Sequence, residues 1–287
     1  MTGRRPRVGR LVRRPTLRSA VRVGVLTVFT VVAVVYPLWI LLVNSAKPLE
    51  EANQLSPALP RQWALIENYQ TVVREGEVFV GLRNTLIAVV PSITVIVVLS
   101  SMAAWVFARR RGRLAVVLYS VCIAGVLLPP IIITTIYVLQ RLGLYGTMGG
   151  LIFFYIGAFG PICVFLTTGF VKTVPIELEE AALIDGATPW IVYSRVVLPL
   201  LRPIILVSIV VLLLIMWNDL LYQFFLIGGQ GTNTLTLGLY NFAQIRQYQT
   251  AWNLVFSFVV IVSVVPILAF IFAQRRVVSG LTAGAMK

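Results

Sequence analysis

The sequence predicts an all-α, polytopic membrane protein with six transmembrane helices, and three observations point to this class. The 287-residue chain is 59% hydrophobic and only 12% charged, whereas a soluble domain carries about twice that charged fraction. Its mean hydropathy is +0.92. Its apolar residues fall in six long runs. One soluble core cannot bury this much apolar surface, so the composition argues against a water-soluble enzyme and equally against a disordered chain.

Each of the six runs can cross a bilayer, because ~30 Å of hydrocarbon takes about 20 helical residues. The runs cover roughly residues 23–43, 84–108, 114–139, 148–171, 204–227 and 251–273. The third contains Pro129-Pro130, which predicts a kink or break whose freed carbonyls are satisfied by neighbouring helices. Five runs contain no Asp, Glu, Lys or Arg, and the exception is Asp219 in the fifth.

The basic residues between the runs predict the orientation. Of the 24 Lys and Arg residues, 18 lie on one predicted side and six on the other. Basic loops stay in the cytoplasm, so both termini are expected inside a multi-pass protein of the cell membrane. The domains are then a basic cytoplasmic tail at 1–22, a transmembrane domain at 23–274 containing a cytoplasmic loop at 172–203, and a cytoplasmic tail at 275–287.

The eight Arg of residues 1–22 permit a second interpretation, because a signal peptide also begins with basic residues before an apolar run. The first run is longer than a signal peptide's apolar region and lacks a small-residue cleavage site, so a retained anchor is favoured over a cleaved signal. The formal charge of +14 would suggest nucleic acid for a soluble protein. Here the basic residues lie between apolar runs, so topology is the favoured interpretation, and the expected partner is the lipid bilayer rather than nucleic acid. The eight Arg are expected to hold the N-terminus inside, and contact with anionic lipid head groups is the alternative.

The residue inventory offers little for chemistry. The chain has no His, and both of its Cys, Cys122 and Cys163, lie inside apolar runs. No zinc-type Cys spacing and no phosphate-binding loop of the G-x-x-x-x-G-K-[ST] type occurs. We therefore expect no catalytic residue, no metal site and no cofactor on this chain, and we do not expect an enzyme.

The cytoplasmic loop at 172–203 is long and patterned, and it holds four of the ten acidic residues. Pro175 suits a first helical position, with Thr173 or Val174 as the cap. The acidic residues follow in the early helix, where the helix dipole favours them. Gly186 suits a left-handed helix end.

A second helix is predicted to begin at Thr188-Pro189 and to end at Pro199 and Pro203. It carries Trp190, Tyr193 and Val197 at helical spacing. The pair of helices is too polar to enter the bilayer and too apolar to stand free in water. Docking to a cytoplasmic partner is favoured over a helix that lies in the membrane interface.

The same loop carries a family resemblance. Glu180-Ala181-Ala182, Gly186, Val196 and Leu198-Pro199 have the spacing of the EAA loop of ABC importer permeases, with Val196 where the family usually has Ile. The run Asp185-Gly186-Ala187 is similar to the form common in carbohydrate permeases.

Further motifs extend the resemblance over nearly the whole chain. They are Trp217-Asn218-Asp219, the tail GLTAGAMK at 280–287, Asn84-Thr85-Leu86 and Lys47-Pro48. The chain most resembles the smaller, six-helix permease of the maltose importer class. It departs from that pattern at Gln223, where the family often has Pro, and at 255–258, where the family is usually rich in Ala.

The resemblance implies a permease subunit of an ATP-driven importer for a sugar or oligosaccharide, forming half of the translocation pathway. ATP and Mg²⁺ would be bound by a dimer of separate ATPase subunits. Further implied partners are a second permease subunit and an extracytoplasmic substrate-binding protein, which the polar outer segment at 228–250 is expected to face, although an ordinary loop is the alternative. The residues implied in coupling to the ATPase are Glu177, Glu179, Glu180, Ala181, Ala182, Asp185 and Gly186.

The fifth run contains the one polar and aromatic cluster within an apolar span. The cluster comprises Trp217, Asn218, Asp219, Tyr222 and Gln223. Aromatic, amide and carboxylate groups are the ones that bind sugars, and a carboxylate inside a membrane is a candidate functional group. These residues are therefore pathway candidates, and the alternative is that Asp219 is capped or paired for packing.

A different class of function is an ion-coupled secondary transporter or channel subunit. Such carriers place ionisable groups in their central helices and contain paired broken helices. One aspartate and one Pro-Pro break give this alternative little support.

Overall fold

A computed structural model describes residues 17–228, 232–248 and 251–285 of the chain. Within these ranges the protein is helical and contains no strand, which confirms the all-α prediction. The first sixteen residues, the last two, and the side chains of the predicted C-terminal tail lie outside the description. The predictions for the basic N-terminal tail and the GLTAGAMK tail therefore remain largely untested.

Within the described residues, four helices are each long and apolar enough to cross a membrane, and there is a fifth crossing if one bent pair counts as a span. The four are Val21–Ser45, Val78–Arg109, Met148–Val171 and Trp252–Phe272, and the bent pair is Pro189–Leu200 with Arg202–Trp217. The structure thus supports a multi-pass protein, whereas the count of six spans stays a prediction.

We number the helices in chain order. Helix α1 consists of Leu17–Thr30, a π-helical turn at Val31–Val35, and Tyr36–Ser45. It is followed in the first half of the chain by α2 (Leu49–Ala52), α3 (Leu65–Glu75), α4 (Val78–Arg109), α5 (Arg113–Leu127), α6 (Ile132–Arg141) and α7 (Met148–Val171). The second half comprises α8 (Glu177–Ile184), α9 (Pro189–Leu200, with a π-helical turn at Val192–Val197), α10 (Arg202–Trp217), α11 (Leu221–Leu226), α12 (Leu235–Tyr248) and α13 (Trp252–Ala285).

The third predicted span is broken at Pro129-Pro130, as the sequence indicates. Helix α5 ends at Leu127 and α6 begins at Ile132, with extended backbone at Leu128 and Ile131. A neighbouring helix satisfies one freed carbonyl, because the Tyr222 hydroxyl donates to Pro130 O at 3.3 Å. Two short helices therefore replace one continuous span.

The fifth predicted span also divides, which corrects the expectation of one continuous helix over 204–227. Helix α10 ends at Trp217, and α11 begins only at Leu221. The Asp219 carboxylate accepts from the backbone N–H of Tyr222 at 3.1 Å, so it satisfies a donor at the start of the new helix. A side chain that competes in this way for backbone groups favours a break over helix continuation.

The core lies between α4, α7 and α10, whose buried apolar side chains pack against one another. Helix α1 differs, because most of its apolar side chains are exposed and burial begins only at Val43. Its outer end is fixed by polar contacts. Asn68 on α3 donates to Ser45 O at 3.0 Å and to Lys47 O at 2.8 Å, and Asn253 on α13 donates to Asn68 at 2.7 Å.

Candidate functional site

The first helix of the loop at 172–203, α8, begins at Glu177 and has no side-chain cap. The prediction that Thr173 or Val174 caps it from a start at Pro175 is therefore wrong. The Thr173 hydroxyl donates instead to Phe170 O at 2.8 Å, so this side chain ends the preceding span rather than starting α8. The acidic residues Glu177, Glu179 and Glu180 do occupy the first turn of α8, as predicted.

The turn between α8 and α9 is the left-handed helix end that the sequence predicts at Gly186, where φ is +85°. Gly186 N donates to Leu183 O at 3.0 Å, and Ala187 N donates to Ala182 O at 3.0 Å. This pair of hydrogen bonds is the Schellman motif. A Cβ added at Gly186 would meet no atom within 4 Å, so only the backbone conformation disfavours another residue there.

Helix α9 begins at Pro189, after an extended Thr188, as predicted. Tyr193 and Val197 are buried against the span helices, whereas Trp190 is 63% exposed. The helix continues to Leu200 and then bends by 70° into α10. Two of the three residues in the predicted apolar stripe therefore pack against the span helices, and Trp190 remains exposed.

The seven residues expected to couple to an ATPase divide between two faces. Glu177, Glu180, Ala181, Asp185 and Gly186 are exposed, and Ala182 is half-buried. Beside them Ile184 is 85% exposed. Glu179 is buried, and its role is therefore not on the open face.

Glu179 is held by the inner end of α4. Its carboxylate receives a hydrogen bond from the Trp105 indole at 2.8 Å and forms an ion pair with Arg109 at 2.8 Å. Arg109 also donates to Val174 O at 2.8 Å. Neither Trp105 nor Arg109 stood out as a site residue in the sequence, since Trp105 lies in an apolar run and Arg109 in a basic loop. Their spacing of four residues on one helix was the available signal.

The second candidate region is the break in the fifth span, where Asp219 is paired through hydrogen bonds. The Tyr155 hydroxyl on α7 donates to Asp219 Oδ2 at 2.9 Å. The Gln223 amide donates to the Tyr155 hydroxyl at 2.9 Å, and Thr234 donates to Gln223 Oε1. The structure thus joins two predicted residues with Tyr155 and Thr234. Sequence analysis missed them because Tyr155 lies in an apolar run and Thr234 in the predicted outer segment, both outside the cluster of the fifth run.

Trp217 is fully buried and forms a hydrogen bond to a second helix. Its indole N–H donates to Val262 O on α13 at 3.1 Å. Residue 266, four positions after Val262, is Pro266. Proline has no N–H, so the Val262 carbonyl lacks its helical donor. Trp217 replaces that donor, which explains why an indole N–H lies inside this apolar contact.

The two remaining pathway candidates, Asn218 and Tyr222, are exposed or half-buried. Asn218 is exposed and donates to Leu214 O of its own helix at 2.8 Å. Tyr222 is half-buried and lies against Phe154, with ring centroids 4.6 Å apart. Phe154 in turn lines a cavity of about 340 Å³ at the broken third span, together with Pro130, Thr134 and Thr135. Access to a translocating substrate stays a prediction for these residues.

The chain is similar to known transport proteins over most of its length. The family model described as "binding-protein-dependent transport system inner membrane component" matches residues 96–281. A putative ABC transporter permease of Caldicellulosiruptor sp. (strain Rt8B.4) is 34% identical over 264 residues, covering 91% of this chain and 94% of that relative. A probable starch degradation products transport system permease of Thermoanaerobacterium thermosulfurigenes is 34% identical over 254 residues, covering 88% of this chain and 91% of the relative.

A diacetylchitobiose uptake system permease of Streptomyces coelicolor is 29% identical over 271 residues, covering 94% of this chain and 89% of that protein. The fold is similar to a chain in the crystal structure of a bacterial ABC transporter involved in the import of the acidic polysaccharide alginate. The TM-score is 0.79 at 18% identity, with 94% of this chain and 99% of the other covered. At this identity the likeness shows the fold alone.

Proposed function

The chain belongs to the family of binding-protein-dependent transport system inner membrane components, and we propose that it forms half of the pathway by which an ATP-driven importer takes up a sugar or oligosaccharide. It is a membrane permease of an ABC transporter and not an enzyme. The family match and the apolar helices place it in the membrane as a multi-pass protein.

A carbohydrate substrate is supported by the names of the relatives and by the polar cluster in the fifth span. Relatives are named for starch degradation products, diacetylchitobiose and trehalose. Trp217-Asn218-Asp219 resembles a motif of sugar-uptake permeases. Asn218 and Tyr222 have accessible amide and aromatic groups, which suit a sugar's hydroxyls and apolar faces.

The observation that carries the proposal is the division of the cytoplasmic loop into an anchored face and an open face. Glu179 faces the spans, while Glu180, Ile184 and Trp190 stand exposed on the other side. Exposed apolar side chains next to charges are typical of a protein-binding surface. We assign this surface to an ATPase dimer, which would bind ATP and Mg²⁺ because the chain has no phosphate-binding loop.

The complete importer also needs a partner within the membrane and a partner outside the cell membrane. A second permease subunit would supply the other half of the pathway, and an extracytoplasmic binding protein would deliver the sugar to the outer segment at 228–250. Both termini are then cytoplasmic, in keeping with the distribution of basic residues. Reporter fusions after Gln54 and after Gly112 should lie on opposite sides of the membrane, and the same side for both would contradict this orientation.

An ion-coupled carrier is not favoured by the comparisons. The carboxylate on which that alternative depends, Asp219, accepts hydrogen bonds from Tyr155 and Tyr222. These contacts account for its presence without a coupling ion.

The test is assembly and transport by the whole complex, with variants on the open face. Glu180→Lys reverses a charge there, and Gly186→Val disfavours the left-handed turn. Each should reduce both sugar uptake and copurification of the ATPase, while the membrane helices still insert. Glu67→Lys makes the same charge change on the exposed outer helix α3 and should leave ATPase copurification unchanged. Full ATPase binding and uptake by both inner variants would contradict the assignment.

A further inference from the structure

Helix α4 is longer than the hydrocarbon core of a bilayer is thick. It contains 32 residues, which at ~1.5 Å per residue is about 48 Å of helix, against ~30 Å of hydrocarbon. Pro91 lies inside it, yet the helix is continuous from Val78 to Arg109. In the orientation proposed above, its two ends would contact segments on opposite sides of the bilayer.

The inner end holds both helices of the cytoplasmic loop. The residues that do so, Ser101, Trp105 and Arg109, lie four positions apart and so share one face of α4. Arg109 and Trp105 bind Glu179 of α8 at 2.8 Å each. Ser101 shares a hydrogen bond of 2.7 Å with the hydroxyl of Tyr193 on α9, and the Trp105 and Tyr193 rings are 5.7 Å apart. We call these contacts the inner clamp.

The outer end holds the start of the outer segment in the same way. Asn84 donates to Asn233 O at 2.8 Å, and Leu235 N donates to the Thr85 hydroxyl at 2.8 Å. A Cβ added at Gly81 would lie 3.1 Å from the Leu235 Cα, so glycine permits this close approach. We call these contacts the outer clamp.

The outer segment continues the connection to the polar cluster of the fifth span. Thr234 donates to Gln223, and Thr236 donates to Trp217 O at 2.6 Å. A displacement of the α4 outer end would therefore move the groups that flank the fifth-span break.

We propose that α4 is a rigid strut that transmits movement of the cytoplasmic loop to the outer segment, with Arg109, Glu179 and Trp105 as the positioning residues that join it to the loop. This inference rests on the proposed function of the loop as the ATPase-docking element. The chain itself also connects α8 to α7 and α9 to α10, so either of those helices is the competing route. The inner clamp distinguishes α4, because its ion pair is largely buried.

Separating a buried ion pair is costly because it leaves an uncompensated charge in a poorly solvated site, so we expect this pair to stay closed during the conformational change. The side chains of Arg109 and Glu179 are 17% and 8% exposed. Arg109 additionally fixes the backbone before α8 through Val174 O. The loop and the inner end of α4 should accordingly move as one body.

The first experiment uses the assembled importer with its ATPases, second permease and binding protein. Arg109→Gln and Glu179→Gln should each reduce uptake, and the stimulation of ATP hydrolysis by the sugar-loaded binding protein, by about tenfold. ATPase copurification and basal hydrolysis should be retained. The exchange Arg109→Glu with Glu179→Arg should recover part of the coupling. Arg111→Gln is the matched control, because Arg111 is an exposed neighbour in the same basic loop.

The outcomes separate this inference from the proposed function. If no ATPase copurifies with the unaltered chain, the proposed function fails. If the ATPase binds but both variants keep full coupling, the strut is wrong. If the variants lose ATPase binding in proportion to coupling, the clamp only shapes the docking surface, which also contradicts the strut.

A second measurement tests movement directly. With Cys122 and Cys163 replaced by Ser, spin labels at Leu178 and Val106 report the distance between the loop and α4. Labels at Leu178 and Phe165 report the distance between the loop and α7. All three labelled positions are exposed. The first distance should stay constant between nucleotide-free and ATP-bound complexes, and the second should change. The reverse result would assign transmission to α7 and overturn the proposal.

A third measurement joins the two clamps. Thr85→Val removes the acceptor for Leu235 N and should also reduce stimulation of ATP hydrolysis. Combined with Arg109→Gln, it should reduce stimulation no further than the stronger single variant, because both act on one route. Multiplied losses would show independent routes and contradict the strut.

Discussion

The loop at 172–203 and the broken fifth span both contain acidic and aromatic residues, and the fold treats these residues in opposite ways. In the loop, Glu180 and Trp190 remain exposed, while Glu179 is bound internally. In the span, Trp217 and Gln223 are buried, and Asp219 accepts hydrogen bonds within the fold. The difference teaches that a polar side chain in this protein is left unpaired where water satisfies it and is hydrogen-bonded within the fold where water is absent.

The largest expected effect separates two adjacent glutamates of α8. Glu179→Ala leaves the Arg109 charge without its partner, and breaking a largely buried pair costs about 3 kcal/mol. Glu180→Ala should leave stability nearly unchanged, because that side chain is exposed. Thermal unfolding of the purified complex measures both. Equal losses would remove the distinction between the two faces of the loop.

Next in size is the loss of the Trp217 indole. Trp217→Phe leaves the Val262 carbonyl without a donor, at a cost of about 1–3 kcal/mol. Pro266→Ala restores a backbone N–H four residues after Val262, so the double variant should recover much of that loss. Thermal unfolding of the complex measures the stability of the single and the double variant. A double variant less stable than Trp217→Phe would show that the carbonyl is not the reason for the tryptophan.

A third prediction concerns Asp219, whose two roles give different results. Asp219→Asn keeps an acceptor for Tyr155 or Tyr222, whereas Asp219→Ala leaves both donors unpaired, at a cost of about 1–2 kcal/mol. If pairing is the role, Asp219→Ala should lower assembly and Asp219→Asn should retain assembly and uptake. If Asp219 lines the pathway, both variants should assemble and lose uptake. Yield of the complex and sugar uptake decide between these results.

The smallest effect tests the turn at Gly186. Gly186→Ala places a residue with a Cβ at φ of +85° and should cost about 1 kcal/mol. Gly112→Ala is the control, because a Cβ there also meets no atom within 4 Å while φ is −67°. Unfolding temperature should fall for the first variant only. An equal fall for both would mean that the left-handed conformation is not the cause.

Local chemistry made much of the fold predictable. The apolar runs indicated the long membrane helices, and the lack of a backbone N–H in Pro129 and Pro130 indicated the break in the third span. Gly186 indicated a left-handed turn for an equally local reason, since only glycine adopts positive φ without strain. The break after Trp217 was not predicted, because the run as a whole is apolar enough for a continuous helix and its polar residues were interpreted as pathway or packing groups.

The sequence by itself determined what depends on neighbouring residues: the membrane class, the turn at Gly186, the helix start at Pro189 and the position of the acidic motif. The tertiary structure alone decided which polar groups are available. Glu179 and Glu180 are adjacent and chemically identical, yet Glu179 is buried by Arg109, 70 positions earlier in the chain. Trp217 likewise acquires its role from a carbonyl 45 residues away. Burial and pairing depend on contacts between distant segments, and such contacts leave no periodic signal in the residues around them.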